Sequence, residues 1–316
     1  YSEGDSGNVD GFGGHANKET STGNIFRGCR AWNNGDDGFD LINCYASYII
    51  EYCWSFRNGY KPHSIESSGG NGAGFKSGGY GMGDIKKVPN PIPQHTVRYC
   101  LAYYNRQQGF YSNHHLGGLI FENNTAYKNP SNYNMLNRKS SNEAVDVPGY
   151  GHIIKNNLSL SPRNSGGFPQ HLINVDNTLS EIKNNSFAPN DLNLSESDFE
   201  SLNEQELMGS RKSDGSLPDI NFLRLTNHAN FRFSGMGCFI NEEAVDYSWI
   251  QEPAIVLENG VARIVGENSK SFNKFYVNGE EVSIENGIVD LTSMSGELNL
   301  KAISENGAVT TLIINK

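Results

Sequence analysis

The sequence predicts an all-β chain: a right-handed parallel β-helix (a solenoid) followed by a small β-sandwich-like module. Three observations carry this. A block of about ten residues recurs at coil-like spacing, a column of asparagines runs through one turn position of the blocks, and the C-terminal text changes to alternating Val/Ile strands broken by Asn-Gly pairs. Gapless runs at a period of tens of residues, with insertions of variable length, mark stacked structural repeats.

The blocks are IFRGCRAWNN from Ile25, IIEYCWSFRN from Ile49, TVRYCLAYYN from Thr96 and LIFENNTAYKN from Leu119, with weaker copies from Ile153 and Glu181. They make Cys29, Cys53, Cys100, Asn124, Asn157 and Asn185 equivalent, at spacings of 24, 47, 24, 33 and 28. The long spacing carries a loop insertion. Three residues earlier every block is apolar: Phe26, Ile50, Val97, Phe121, Ile154 and Ile182. Short alternating apolar positions suit strands. Five residues later come Asn34, Asn58, Asn105, Asn129 and Asn190, with Pro162 as the exception. Asparagine tolerates left-handed backbone angles, and its amide can bond the rungs above and below. The cysteines read as buried, reduced fillers of an interior ladder.

The repeat extends over residues 1–195, and Tyr1 falls inside the solenoid, so earlier N-terminal coils are expected to be missing. Residues 196–250 read as a short helix and an irregular segment packing on or capping the β-helix. Ser197-Asp-Phe-Glu200 is a capping-box pattern for a helix running to Met208 and stopped by Gly209. Residues 251–316 read as hairpins of a small accessory sandwich, since Asn-Gly suits tight hairpin turns.

Composition narrows the function. Hydrophobic residues are 36% of the chain and glycines number 35, which argues against a helical bundle. The formal net charge of −10 argues against a nucleic-acid partner, which needs a Lys/Arg surplus. No stretch approaches the ~18 apolar residues of a membrane span, so a soluble chain is expected. Five cysteines without a CxxC pair give neither a disulfide framework nor a zinc site.

A second column follows the first within each coil: Asp10-Gly11-Phe12, Asp37-Gly38-Phe39, Ala73-Gly74-Phe75 and Gln108-Gly109-Phe110. With adjacent strands ~4.8 Å apart, stacking places Asp10 beside Asp37 and puts Asp40 in one row with Gly13, Lys76 and Tyr111. Asp36 neighbours Asp37 on the turn. Four carboxylates this close repel one another unless a cation sits among them, and hard oxygen ligands from several rungs suit Ca2+. The plainer reading of GDDGFD is an acidic turn, and of Lys76 a solvated strand lysine. Stacking of Asp10 and Lys76 on the same spot, and the Gly-rich NGAGFKSGG run around the lysine, favour a site.

The motifs DGFGGH, GCRAWNNGDDGFD, CWSFRNGY and NGAGFKSGG resemble those of polysaccharide lyase family 9. The resemblance covers roughly residues 8–225, including SLPDINFLRL. It implies that Asp10, Asp36, Asp37 and Asp40 hold Ca2+ and that Lys76 is the Brønsted base of a β-elimination on a galacturonate-containing pectic backbone. An acidic plant cell-wall polymer is then the partner of a monomeric chain that is secreted, periplasmic or on the cell surface. His15 stands where pectate-cleaving members often have lysine, which leans the reading towards rhamnogalacturonan I over homogalacturonan. His15, Arg106, His114 and Arg138 are candidate substrate contacts, with His115 beside them and His63 in the insertion as a cleft wall. Two rivals remain at this point. A polygalacturonase-type hydrolase would share the fold, but its GHG and RIK motifs are absent and Lys76 would have no role. A non-catalytic, calcium-stabilised glycan-binding solenoid would leave Lys76 beside the metal without purpose.

Overall fold

The computed structural model describes residues 8–81, 87–163, 170–187, 192–240, 254–258, 260–265, 269–285, 287–305 and 307–316. The chain divides into two compact units, Tyr1–Glu242 and Glu243–Lys316.

The first unit is a parallel β-helix. Successive coils lay short strands into three parallel sheets. The first sheet stacks Phe12–Gly13, Phe39–Asp40, Phe75–Lys76, Phe110–Tyr111, Tyr133–Asn134 and Leu172–Ile173 in chain order. The second runs from Asn24–Arg27 to Glu181–Lys183, and the third from Arg30–Trp32 to Leu158–Leu160. In the second sheet Phe26, Ile50, Val97, Phe121, Ile154 and Ile182 pair residue to residue. The gapless sequence alignment is therefore the register of the sheet itself.

Period-2 alternation on the first sheet sends one residue of each pair inward and the other out. The inward set is a stack of rings: Phe12, Phe39, Phe75, Phe110 and Tyr133, with centroids 4.9, 4.9, 5.0 and 4.9 Å apart. Phe39, Phe75, Phe110 and Tyr133 are fully buried. The outward set is Gly13, Asp40, Lys76, Tyr111 and Asn134, in register on neighbouring strands.

Two amide ladders hold the corners. In one, the Nδ2 of Asn34, Asn58, Asn105 and Asn129 donates to the Oδ1 of Asn58, Asn105, Asn129 and Asn132, at 2.7–3.0 Å. In the other, Asn124 donates to Asn157 and Asn157 to Asn185. The ladder asparagines are buried. They do not themselves take the left-handed conformation that the sequence reading assigned them. Positive φ falls one residue earlier, at Asn33 (50°), Arg57 (55°), Tyr104 (49°) and Lys128 (54°). That residue turns the corner and faces out, so the next one points inward with its amide aligned along the stack. Asn190, the sixth member expected, lies outside the described residues.

The ladder explains the glycine column. A Cβ at Gly11, Gly38, Gly74 or Gly109 would lie 2.6–2.7 Å from the Nδ2 of Asn34, Asn58, Asn105 or Asn129. Only glycine fits against a fully engaged amide at that distance.

The single helix expected to end at Met208 is instead two 3-10 turns, Glu196–Asp198 and Glu204–Met208. The capping box forms two residues early, between Ser195 and Asp198. Asn203 then caps the second turn by accepting from Gln205 N, which breaks any continuous helix. An α-helix, Asn227–Arg232, occupies the stretch expected to be irregular. Leu207, Phe222, Leu223, Ala229 and Phe233 pack on Trp54, Leu101, Tyr103, Tyr127 and Leu158, so the 196–240 segment covers the outer face of the third sheet. Residues 241–250 lie outside the described residues.

The second unit has a three-stranded and a four-stranded antiparallel sheet around Ala262, Phe275, Leu291, Leu300 and Ala302. Asn278 and Gly279, at φ 51° and 89°, make the hairpin turn between Phe272–Val277 and Glu280–Val282.

Asn105→Leu keeps the volume but removes the acceptor shared by the Asn58 N–H and Nδ2 and the donor to Ser55 O, while Asn129 Oδ1 keeps the backbone N–H of residue 105. Buried polar groups stranded in this way cost roughly 1–3 kcal/mol each. The expected loss is on the order of 3 kcal/mol in urea unfolding of the variant against the parent.

Candidate active site

The turn Asn34–Asp37 closes the corner after the third sheet and feeds Phe39–Asp40 of the first. Asn34 is fixed by the ladder and Phe39 by the ring stack, so the acidic residues between them have little freedom. The Asp36 carboxylate accepts from the backbone N–H of Asn71 and Gly72, and Asp37 Oδ1 accepts from Ala73 N at 2.6 Å. Asp10 Oδ1 accepts from Asp37 N at 3.0 Å. Oxygens of Asp10, Asp36 and Asp37 lie within 4.8 Å of one another. Asp40 turns its Oδ1 to Ile42 N at 2.7 Å and its Oδ2 to Lys76 Nζ at 2.8 Å.

Lys76 Nζ also forms an ion pair with Asp37 Oδ2 at 3.1 Å, and that buried oxygen has no hydrogen-bond partner. One lysine thus serves a group of four carboxylates, and both consequences show. Burial would lower the Lys76 pKa, but Asp37 and Asp40 outweigh it and hold the ammonium above its usual range. The negative excess falls on the acids. Burial, with repulsion from Asp40, raises Asp10 to about 6. Burial, with Asp36 and Asp40 and against the pull of Lys76, raises Asp37 to about 7. A buried carboxylate oxygen without a hydrogen bond and an all-oxygen, over-charged donor set fit a hard divalent cation.

The other sequence candidates fall in different places. The exposed His15 folds back over Gly13, where an added Cβ would meet its Nε2 at 2.8 Å, so it stands one coil from Asp40 in the same row. Arg106 Nη1 donates to Gly70 O at 2.9 Å and Asn71 O at 3.3 Å. It clasps the loop whose amides hold Asp36. His114 bonds Tyr111 Oη at 2.9 Å through Nε2 and Asp146 Oδ1 at 2.7 Å through Nδ1, and Arg138 pairs with the same Asp146 oxygen. His115 cannot contact a ligand: it is fully buried, accepts from Gly79 N and bonds Pro93 O, and burial lowers its pKa to about 4. His63 lines a groove of about 630 Å³ with Trp32, Phe56, Arg57, Glu204 and Met208, whose lining includes none of the four aspartates.

The sequence reading missed Asp146. It lies opposite Arg138 on an antiparallel hairpin, Leu136–Arg138 with Asp146–Pro148, that interrupts the coil. An antiparallel excursion has no place in a parallel repeat, so the register that found Asp10 and Lys76 could not find it.

A model of the Pel9A-like, right-handed β-helix region matches residues 1–187. The chain belongs to the Pel9A-like β-helix family. This is the polysaccharide lyase family 9 type that the motifs resemble. A second model, rhamnogalacturonan lyase-like C-terminal, matches residues 176–311 of this Pel9A-like chain. Pectate lyase L of Dickeya chrysanthemi is 35% identical over 240 residues, 76% of this chain and 48% of the relative. The chain therefore spans about half the length of the curated relatives it matches. Among solved structures, a rhamnogalacturonan lyase is 55% identical with a TM-score of 0.67, covering 73% of this chain and 55% of that one. The crystal structure of pectate lyase Pel9A is 34% identical with a TM-score of 0.53, covering 69% and 47%.

Protons and a cation compete for Asp10 and Asp37, both raised above the ordinary carboxylate range. Apparent cation affinity should therefore strengthen as pH rises from about 5, and level off once both acids ionise above about 7. Calorimetric titration with Ca2+ at pH 5, 6, 7 and 8 measures this, and a flat profile would remove these two acids from the site.

Proposed function

We propose that this Pel9A-like chain is a Ca2+-dependent polysaccharide lyase that cleaves a galacturonate-containing pectic backbone, rhamnogalacturonan I in preference, by β-elimination. The observation that carries the reading is a single half-buried lysine, in register with Asp40, on the rim of an over-charged carboxylate cluster. The family membership supports it, as do the names of the relatives at 35% and 55% identity. Asp10, Asp36, Asp37 and Asp40 would hold the cation. Bound there, Ca2+ would neutralise the galacturonate carboxylate and stabilise the negative charge that develops when the C5 proton leaves.

The chain's own residues do the rest. Lys76 accepts the C5 proton, which requires the free amine. The carboxylates that hold it protonated are the same ones that would serve the cation, so filling the site removes the reason for its charge. Arg106, through the Gly70–Asn71 loop, keeps Asp36 aimed into the cluster. His15, one coil before Asp40, faces the sugar next to the reacting unit. The C5–H electron pair becomes the C4=C5 double bond as the C4–O4 pair leaves with O4, which takes a proton from water, giving a 4,5-unsaturated sugar. A polymeric substrate of this kind places the protein outside the cell, and among the described residues no helix is long and apolar enough to cross a membrane.

Purified protein with rhamnogalacturonan I and Ca2+ should release product with the ultraviolet absorbance of an unsaturated uronide, and chelation should abolish it. Reducing sugar without that absorbance would mean hydrolysis. Lys76→Ala should lower kcat by about 10³-fold or more with Ca2+ binding retained, because a base acts in the transition state. Lys76→Arg should be nearly as damaging, since guanidinium stays protonated. A tenth of the parent rate remaining in Lys76→Ala would place the base elsewhere.

A further inference from the structure

The outward row of the first sheet reads Gly13, Asp40, Lys76, Tyr111, Asn134 and Ile173. Past Lys76 it holds a phenol, an amide and an aliphatic side chain, with no cation among them. A sugar ring spans about the same length as the ~4.8 Å between coils, so a polymer laid along the row meets roughly one coil per unit. In homogalacturonan every unit carries a carboxylate. In rhamnogalacturonan I the galacturonate alternates with a neutral sugar.

The surroundings of Tyr111 decide which polymer the row suits. Its Oη is bonded to His114, His114 to Asp146, and Asp146 to Arg138, in one unbroken chain across the hairpin. The guanidinium nearest this position is thus neutralised by a carboxylate that is 44% exposed. Lys76 is engaged by Asp37 and Asp40. Burial, with the Asp146 charge next, raises the Tyr111 pKa to about 12, so the phenol is a neutral donor and acceptor.

We infer that Tyr111, His114, Asp146 and Arg138 form the subsite for the neutral sugar beside the reacting galacturonate, and that Asp146 excludes a second carboxylate from it. This rests on the lyase reading above. Tyr111 Oη is held in place by His114, both of whose ring nitrogens are engaged, and is the group that bonds a sugar hydroxyl. Asp146 acts twice against an acidic unit, by cancelling Arg138 and by facing the newcomer with its own charge.

The test compares kcat/KM for unsaturated-product formation on rhamnogalacturonan I and on homogalacturonan, at saturating Ca2+. The parent should prefer rhamnogalacturonan I. Asp146→Asn keeps the shape and removes the charge, and should raise the homogalacturonan-to-rhamnogalacturonan ratio about tenfold. Tyr111→Phe should lower kcat/KM on rhamnogalacturonan I about tenfold, with a smaller loss on homogalacturonan. If Asp146→Asn does not fold, the Tyr111→Phe ratio decides alone. A parent that prefers homogalacturonan, or variants that lose both activities in parallel, would overturn the subsite and leave the lyase reading standing. A parent that forms no unsaturated product from either polymer would overturn both.

Discussion

The amide ladder through Asn34, Asn58, Asn105 and Asn129 is the constraint on which the site depends. The amides of Asn34, Asn58 and Asn105 each bond the next coil, and all four press on a glycine that has no room for a Cβ. That contact fixes the corner to within a hydrogen bond's tolerance. Asp36 and Asp37, immediately after the corner, inherit that placement, and Ala73 to Lys76 regain it past the insertion through the contact of Gly74 with Asn105. The ring stack beneath pins Phe39 and Phe75, so Asp40 and Lys76 must face out on neighbouring strands. A cluster of like charges is costly to assemble, and only a scaffold that leaves its members no alternative keeps it together.

The same geometry explains why so much was legible in the sequence. A parallel stack turns a distance in sequence into adjacency in space, so aligning Cys29 with Cys53 and Cys100 was enough to set the register of the second sheet. The four-residue step from Asn34 to Gly38 and from Asn105 to Gly109 then carried that register to Asp40 and Tyr111, and the shared Gly-Phe pair aligned Asp10 and Lys76 with them. What was not legible lies where the chain leaves the stack. The hairpin bearing Arg138 and Asp146 is antiparallel, and its partners are set by local turn chemistry that no repeat encodes. The 3-10 turns after Ser195 follow the same logic. Helical signals were present, but the third sheet offers a flat apolar face that extended and 3-10 segments cover as well as a helix would. Arg106 and His115 show a further limit. Both stand next to the right coils, and only side-chain direction separates a clasp and a core histidine from a ligand contact.

The site itself is a balance of charge. Four carboxylates against one lysine leave the metal-free cluster frustrated, with two acids shifted upward and the lysine pinned as their counter-ion. A divalent cation relieves both conditions at once, because it supplies the positive charge that Lys76 otherwise provides. Cation binding and readiness of the base are therefore two aspects of one electrostatic event.

The ladder also has an end. Asn129 donates to Asn132, three residues along, rather than to an asparagine a full coil away. Asn132 in turn spends its own amide on Ala126 O, Ser159 Oγ and Leu160 O. At that corner the row of asparagines ends, its last amide spent within its own coil and on the next. Stacks of identical amides are templates, since each rung prescribes the next, and such templates underlie fibre growth. By spending the final amide on a hydroxyl and on backbone carbonyls, the chain keeps the cohesion of an amide spine while offering at that corner no further asparagine rung for a neighbouring molecule to copy.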